Sequence, residues 1–190
     1  MADSQWPRYQ VFVQEQPGGV FQDAGSVHAP DPELALLNAR DVFARRPECA
    51  GMWVIPAGTI YSRTREELSS EAAQPDAQTE GQIQKYYIFC KTKSAGTMTL
   101  AGEVEAKGPA QALEQARKAG LSASEPFAWW AAPAGAAVKS DPQDATSFFD
   151  PARDKSFRLS TDFHTVSAMR KLRDGPRGAD PEAREGRDGS

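Results

Sequence analysis

Residues 9–58 read YQVFVQEQPGGVFQDAGSVHAPDPELALLNARDVFARRPECAGMWVIPAG, and residues 86–135 read YYIFCKTKSAGTMTLAGEVEAKGPAQALEQARKAGLSASEPFAWWAAPAG. Laid one over the other at a constant offset of 77, they agree without a gap at 17 of 50 positions. Tyr9 and Phe12 fall on Tyr86 and Phe89, and Ala24-Gly25 on Ala101-Gly102. Pro32, Ala35, Leu36, Ala39 and Arg40 fall on Pro109, Ala112, Leu113, Ala116 and Arg117. Trp53 falls on Trp130, and Pro56-Ala57-Gly58 on Pro133-Ala134-Gly135. The chain therefore carries one module twice.

Each copy reads β-β-α-β. In the first, residues 9–14 are apolar, β-branched or aromatic and read as a strand. Pro17-Gly18-Gly19 marks a turn, and residues 20–29 read as the second strand of a hairpin. Asp31-Pro32-Glu33 starts a helix: a side-chain acceptor for free N–H groups, a preset φ, and an acid in the first turn. Ala35, Leu36, Ala39, Val42 and Phe43 recur at helical spacing, Arg45-Arg46 close the helix and Pro47 stops it. Met52 to Ile55 form a third strand. The second copy predicts strands near 86–91 and 98–106, a helix from Pro109 to Lys118 ended by Gly120, and a strand near 127–132. Its helix is thinner, because Val42 and Phe43 become Ala119 and Gly120. The expected fold class is α+β: two tandem β-β-α-β modules packed as a pseudo-dimer. A module of this size has a marginal core on its own. The Trp129-Trp130 doublet puts one ring on each face of its strand, so one ring faces the other module or a partner.

The expected organisation is a first module at 1–65, a linker at 66–85, a second module at 86–140, an aromatic docking extension at 141–169 and a disordered tail at 170–190. Residues 66–85 hold only Leu68 and Ile83 as large apolar residues, which reads as a flexible or weakly helical linker. From Asp174 on, no large apolar residue occurs. Between the second module and the tail, Phe148, Phe149, Phe157 and Phe163 fall in a stretch without clear periodicity and predict an irregular extension. Its rings either seal the chain's own modules or dock on another protein.

Net charge is −4 over 190 residues, which offers no general pull on nucleic acid. No stretch reaches the ~18–20 apolar residues of a bilayer span, and the N-terminus lacks the pattern of a signal peptide. The expectation is a cytoplasmic protein with no membrane or nucleic-acid partner. Cys49 and Cys90 occupy non-equivalent repeat positions and read as reduced thiols. His28 and His164 are the only histidines. No E-x-x-H, H-E-x-x-H, C-x-x-C, G-x-G-x-x-G, Walker A or G-x-S-x-G pattern is present. A Cys49–His28 pair is conceivable, yet His28 reads first as a structural hydrogen-bonding group at a strand end. Arg45-Arg46 suit either an anion such as a phosphate or the helix dipole.

The first copy resembles the B-subunit family of phenylacetic acid degradation. The likeness rests on Trp6-Pro7, Tyr9 with Val11-Phe12-Val13, Gly25-Ser26 with His28-Ala29 and Asp31, and Ala35-Leu36. It continues through Asn38-Ala39-Arg40-Asp41, Arg45-Arg46 with Glu48, and Trp53-Val54. A C-terminal signature of the family appears as Phe148-Phe149-Asp150-Pro151-Ala152. The resemblance implies a non-catalytic, bridging subunit of a multicomponent oxygenase that epoxidises the ring of phenylacetyl-CoA. It implies no cofactor on this chain. It implies a di-iron catalytic subunit and a helical support subunit as partners, with a reductase in the wider system. On that likeness the candidate partner contacts are Trp6, Arg45, Arg46, Phe148, Phe149, Asp150 and Pro151. The second copy has lost the GSxHA and NARD patterns, reading Gly102-Glu103-Val104-Glu105-Ala106 and Gln115-Ala116-Arg117-Lys118. The competing expectation is a small CoA-ester or anion-binding module that acts alone through Arg45-Arg46.

Overall fold

The first strand, β1 (Arg8–Gln14), is buried on both faces, as an apolar run in mid-sheet has to be. A computed structural model describes residues 5–44, 49–71, 82–122, 124–153 and 169. After β1 come β2 (Gln22–His28), α1 (Pro32–Phe43) and β3 (Gly51–Pro56). A 3-10 turn at Ala57–Thr59 leads into β4 (Tyr61–Thr64) and α2 (Arg65–Glu71). The same order then returns as β5 (Gln84–Lys91), β6 (Thr99–Ala106), α3 (Pro109–Lys118) and β7 (Ala128–Pro133). A 3-10 turn at Ala134–Ala136, β8 (Val138–Lys139) and α4 (Ala145–Arg153) complete it. The secondary structure is mixed, with one antiparallel sheet, as the α+β reading requires. These elements lie in a single compact unit, Met1–Asp154.

The sequence signals act where they are expected. The Asp31 carboxylate accepts the Leu34 N–H at 2.8 Å, and Pro32 opens α1. The α3 start has glycine at the equivalent cap, and Gln111 instead accepts the Lys107 N–H at 2.8 Å. Gly120 stops α3 with φ at +64°, where other residues are strained. In both hairpins the register shifts at the same place, between Val11 and Phe12 and between Ile88 and Phe89. Gly25 sits opposite that shift with φ at +130°, and a Cβ there would lie 3.1 Å from the Phe43 ring.

The eight strands run in the order β4-β7-β5-β6-β2-β1-β3-β8. Two edges depart from the expected three-stranded copies. β4 follows the first copy but pairs with β7 of the second, from Tyr61↔Ala131 to Thr64↔Ala128. β8 follows the second copy but pairs with β3 of the first, Trp53↔Lys139 and Val54↔Val138. The two halves join through β2 and β6 by the single pair Gln22↔Thr99. Flanking bonds run from Asp23 N–H to the Met98 carbonyl and from Leu100 N–H to the Phe21 carbonyl, each 2.8 Å.

Each half has an outer core beneath a helix. Tyr9, Val11, Val13, Met52 and Val54 meet Ala35, Leu36 and Ala39 of α1. Tyr86, Ile88, Cys90, Trp129 and Ala131 meet Ala112, Leu113 and Ala116 of α3. The opposite faces share a third core of Phe12, Trp53, Ile55, Tyr87, Phe89, Met98 and Ala132. The Phe12 and Phe89 rings stack with centroids 4.0 Å apart. Three strand steps separate β1 from β5, about 14 Å along a flat sheet. Ring contact therefore requires the sheet to curl until its halves face each other. Trp129 lies under α3, while Trp130 on the other face meets Phe12 edge-on at 6.4 Å.

The segment expected as a flexible or weakly helical linker opens with α2, whose Leu68 packs against the α3 core, and β5 begins at Gln84. One further expectation is corrected. The extension expected to be irregular forms a helix over Ala145–Arg153. The Asp141 carboxylate accepts the Gln143 N–H, and the Phe148 N–H bonds the Asp144 carbonyl at 2.8 Å. Pro151 stands near the end of α4, where the N–H it lacks costs one helical bond and leaves the rest of the helix intact. Phe157, Phe163, His164 and the tail from 170 lie outside the described residues.

Candidate interaction surface

Two motifs that lie far apart in the chain meet at one spot. Arg40 of α1 places its guanidinium 5.4 Å from the centre of the Phe148 ring. It donates to the Phe148 carbonyl at 3.4 Å and pairs with the Asp41 carboxylate at 3.1 Å. Phe148 meets Phe149 edge-on, with ring centres 4.9 Å apart. Phe149 is 1% exposed and sinks with Ala152 into the core beneath α1. The NARD stretch and the FFDPA stretch thus form one structural unit.

The route to that spot is fixed by Ser140. Its N–H donates to the Met52 carbonyl at 2.8 Å, and its hydroxyl accepts the Met52 N–H at 2.9 Å. Ser140 extends β8 along β3 and delivers α4 onto the first copy. Among the described residues it is the buried polar side chain of the core.

Beside it, Trp53 lies between Phe21, with ring centres 3.9 Å apart, and Tyr87, at 4.7 Å. Lys139 holds its ammonium 4.3 Å over Trp53 and 4.5 Å over Tyr87, and donates to the Tyr87 hydroxyl. Cation–π attraction adds to this clasp between β8, β3 and β5.

The candidate contacts separate by exposure. Trp6 is 58% exposed, Asp150 and Pro151 are exposed, Phe148 is half-buried and Phe149 is buried in the chain's own core. Arg45 and Arg46 lie outside the described residues. The His28 Nδ1–H donates to the Trp6 carbonyl at 2.8 Å, the structural role expected of it. The Cys49 thiol donates to the Gly51 carbonyl at 3.2 Å, and burial pushes its pKa up to about 11. His28 and Cys49 thus have separate partners, and little thiolate is available near neutral pH. Both cysteines are free and buried. Among the described residues, no cluster of histidine, cysteine and carboxylates could hold a metal ion, and no helix is long and apolar enough to cross a membrane.

Sequence reading missed Arg40, Ser140 and Lys139. Arg40 recurs as Arg117, which marked it as a feature of the repeat, whereas its partner Phe148 lies 108 residues away. Lys139 sits in a two-residue strand too short to show a period, and Ser140 follows it directly.

The sequence model of the family Phenylacetic acid degradation B matches residues 5–80 and 82–170. A relative from Escherichia coli (strain K12), the B subunit of 1,2-phenylacetyl-CoA epoxidase, is 42% identical over 67 residues, which span 35% of this chain and 70% of the relative. No solved structure matches the chain significantly. The segment of the family match that ends at 170 takes in α4, and the segment that begins at 5 takes in α1, so the motifs joined at Arg40 both fall within the match. The chain belongs to the Phenylacetic acid degradation B family.

Proposed function

We propose that this chain is a non-catalytic bridging subunit of a multicomponent oxygenase that epoxidises the aromatic ring of phenylacetyl-CoA. Family membership and the name of the Escherichia coli relative support the reaction. The observation that carries a subunit role is the Arg40–Phe148 junction. It joins the two stretches on which the likeness to the family was read, beside the exposed Asp150 and Pro151. The chain carries no cofactor of its own. A di-iron catalytic subunit and a helical support subunit are its partners, served by a reductase.

The two β-β-α-β copies act as an intramolecular pseudo-dimer. Three observations support this: the reciprocal pairing of β4 and β8, the central β2–β6 join, and the stack of Phe12 on its counterpart Phe89. Light scattering of the purified chain should give a monomer near 20.6 kDa. A stable homodimer would count against the pseudo-dimer.

The decisive experiment is co-purification. The tagged chain is co-expressed with the other epoxidase subunits of its genome, and the eluate is sized. One stable particle containing all of them is expected. Elution of the chain alone would defeat the reading. Calorimetry of the isolated chain with CoA and phenylacetyl-CoA tests the alternative of a free-standing ligand-binding module. Submillimolar binding that Arg45→Ala and Arg46→Ala abolish would establish that alternative instead.

A further inference from the structure

Because the chain holds one module twice, each copy is a control for the other. Both copies keep the core. Ala35, Leu36 and Ala39 of α1 recur as Ala112, Leu113 and Ala116 of α3, and Tyr9 and Ala29 recur as Tyr86 and Ala106. The second copy builds the same elements without three residues that hydrogen bonds link in the first. Those residues are Trp6, His28 and Asn38, and their counterparts are Ile83, Glu105 and Gln115.

In the first copy the three form a relay from α1 to the start of β1. The Asn38 side-chain amide donates to the His28 carbonyl at 3.4 Å. The His28 Nδ1–H donates to the Trp6 carbonyl at 2.8 Å. The Ala29 N–H takes the next carbonyl, that of Pro7, at 3.2 Å, and the Pro7 ring fixes its own φ. The backbone that carries Trp6 is thus held at two successive carbonyls. In the second copy the His28 position is a carboxylate, which accepts and does not donate, so it cannot hold the Ile83 carbonyl in the same way. The module folds without the relay, and the copy that lacks the relay also lacks the tryptophan.

The ring carried on this backbone is turned outward. Trp6 is 58% exposed, whereas Trp53 and Trp129 are buried and Trp130 is half-buried. One exposed ring alone is ordinary. A ring on a pinned backbone is preorganised, because that backbone needs no further ordering when a partner arrives. Tryptophan in such a setting is the residue type that dominates interface energies.

We infer that Trp6 is an anchor for another protein and that His28, backed by Asn38, is its positioning residue. The ring enters an apolar pocket on another subunit of the epoxidase, with an acceptor at its rim for the indole N–H. The family match opens at residue 5 and spans Trp6, His28 and Asn38, which favours a partner common to the family over one particular to this chain. The inference rests on the subunit reading and deepens it. It supplies one contact of the bridge and leaves the others to the rest of the surface.

The test uses the full chain and the remaining epoxidase subunits of the same genome, isolated as a complex. Trp6→Ala should weaken binding by ~30-fold or more, the loss of a hot-spot ring. His28→Ala should weaken it ~3–10-fold, the loss of one hydrogen bond. His28→Asn keeps a donor near the place of Nδ1 and should stay within ~2-fold of the parent. In the Trp6→Ala background, His28→Ala should change binding by less than ~2-fold, because it acts through the ring. Hydroxyl-radical footprinting of the unaltered chain should oxidise Trp6 when the chain is free and spare it in the complex, which guards against a variant that misfolds. Parent-like binding by Trp6→Ala, or a Trp6 still oxidised in the complex, would overturn the anchor and leave the subunit role standing. An equal loss from His28→Ala with and without the ring would overturn the positioning role. Self-association that Trp6→Ala abolishes would assign the ring to a second copy of the chain and overturn the inference as well. Absence of any complex with the parent would overturn the subunit reading, and the inference with it.

Discussion

Phe12 and Phe89 occupy the same position in the two copies and lie against each other, ring on ring, with planes 20° apart. A residue that meets its own counterpart is the kind of contact the proposed pseudo-dimer calls for. Both rings are fully buried. Phe12→Ala should therefore cost about 3–5 kcal/mol of stability. The double-mutant cycle with Phe89→Ala should show coupling of about 0.5–1.5 kcal/mol. Denaturant melts of the four proteins measure both, and strictly additive losses would contradict the stack.

Ser140→Ala removes one hydroxyl and leaves the Met52 N–H buried without its acceptor. The expected cost is about 1–3 kcal/mol, large for a single oxygen. Ser140→Thr keeps the acceptor and should recover part of it. A thermal melt of the alanine variant that matches the parent would mean that Ser140 does not hold β8 to β3.

Arg40→Lys keeps the charge but loses the planar fork and the ring contact with Phe148. Hydrogen exchange in α4 should then accelerate while exchange in β5 and β7 stays unchanged. Phe149→Ala, which empties a core position, should cost about 3–5 kcal/mol and loosen α4 further. Uniform acceleration over both halves after Arg40→Lys would show that α4 is not a separately anchored element.

Cys49 gives a pH dependence with a definite sign. Burial raises its thiol from 9.0 to about 11 in the folded chain. Between those values the unfolded chain gives up a proton that the folded chain keeps, so stability falls as pH climbs through the window. Below pH 9 both states hold the proton and the group contributes no slope. The stability difference between parent and Cys49→Ala should narrow from pH 8 to pH 11. A constant difference would rule out the buried neutral thiol. At pH 8 both thiols should also resist Ellman's reagent until denaturant is added.

The elements that can be read from sequence are those whose signals are local. The repeat, the Asp31-Pro32 cap, Gly120 and the apolar runs of β1, β3, β5 and β7 each announce themselves within a few residues. What escapes is the exchange of edges. Tyr61-Ser62-Arg63-Thr64 and Val138-Lys139 are too short for a period of two, and their partners lie in the other copy. The same holds at the candidate surface. Its ingredients, Arg40 and Phe148-Phe149, are visible as separate motifs. Their union depends on β8 carrying the chain across to β3. Phe149 reads as a possible contact because composition shows an aromatic but not which way it turns. Three residues before it, Thr146 is exposed, while Ala152, three after, is buried with it.

The crossed edge strands also bear on how such a gene can change. β4 and Leu68 from the first copy finish the second, while β8 and α4 from the second copy finish the first. Neither copy is a spare. The second is free to lose its surface motifs one by one, as GSxHA and NARD have gone, because those losses leave the borrowed strand intact. Deleting it would strip the first copy of β8, of the Ser140 clamp and of the helix that Arg40 holds. The duplication is thus a ratchet: sequence drift can proceed within the second copy, but a return to one copy would have to rebuild the tail of the first in the same step.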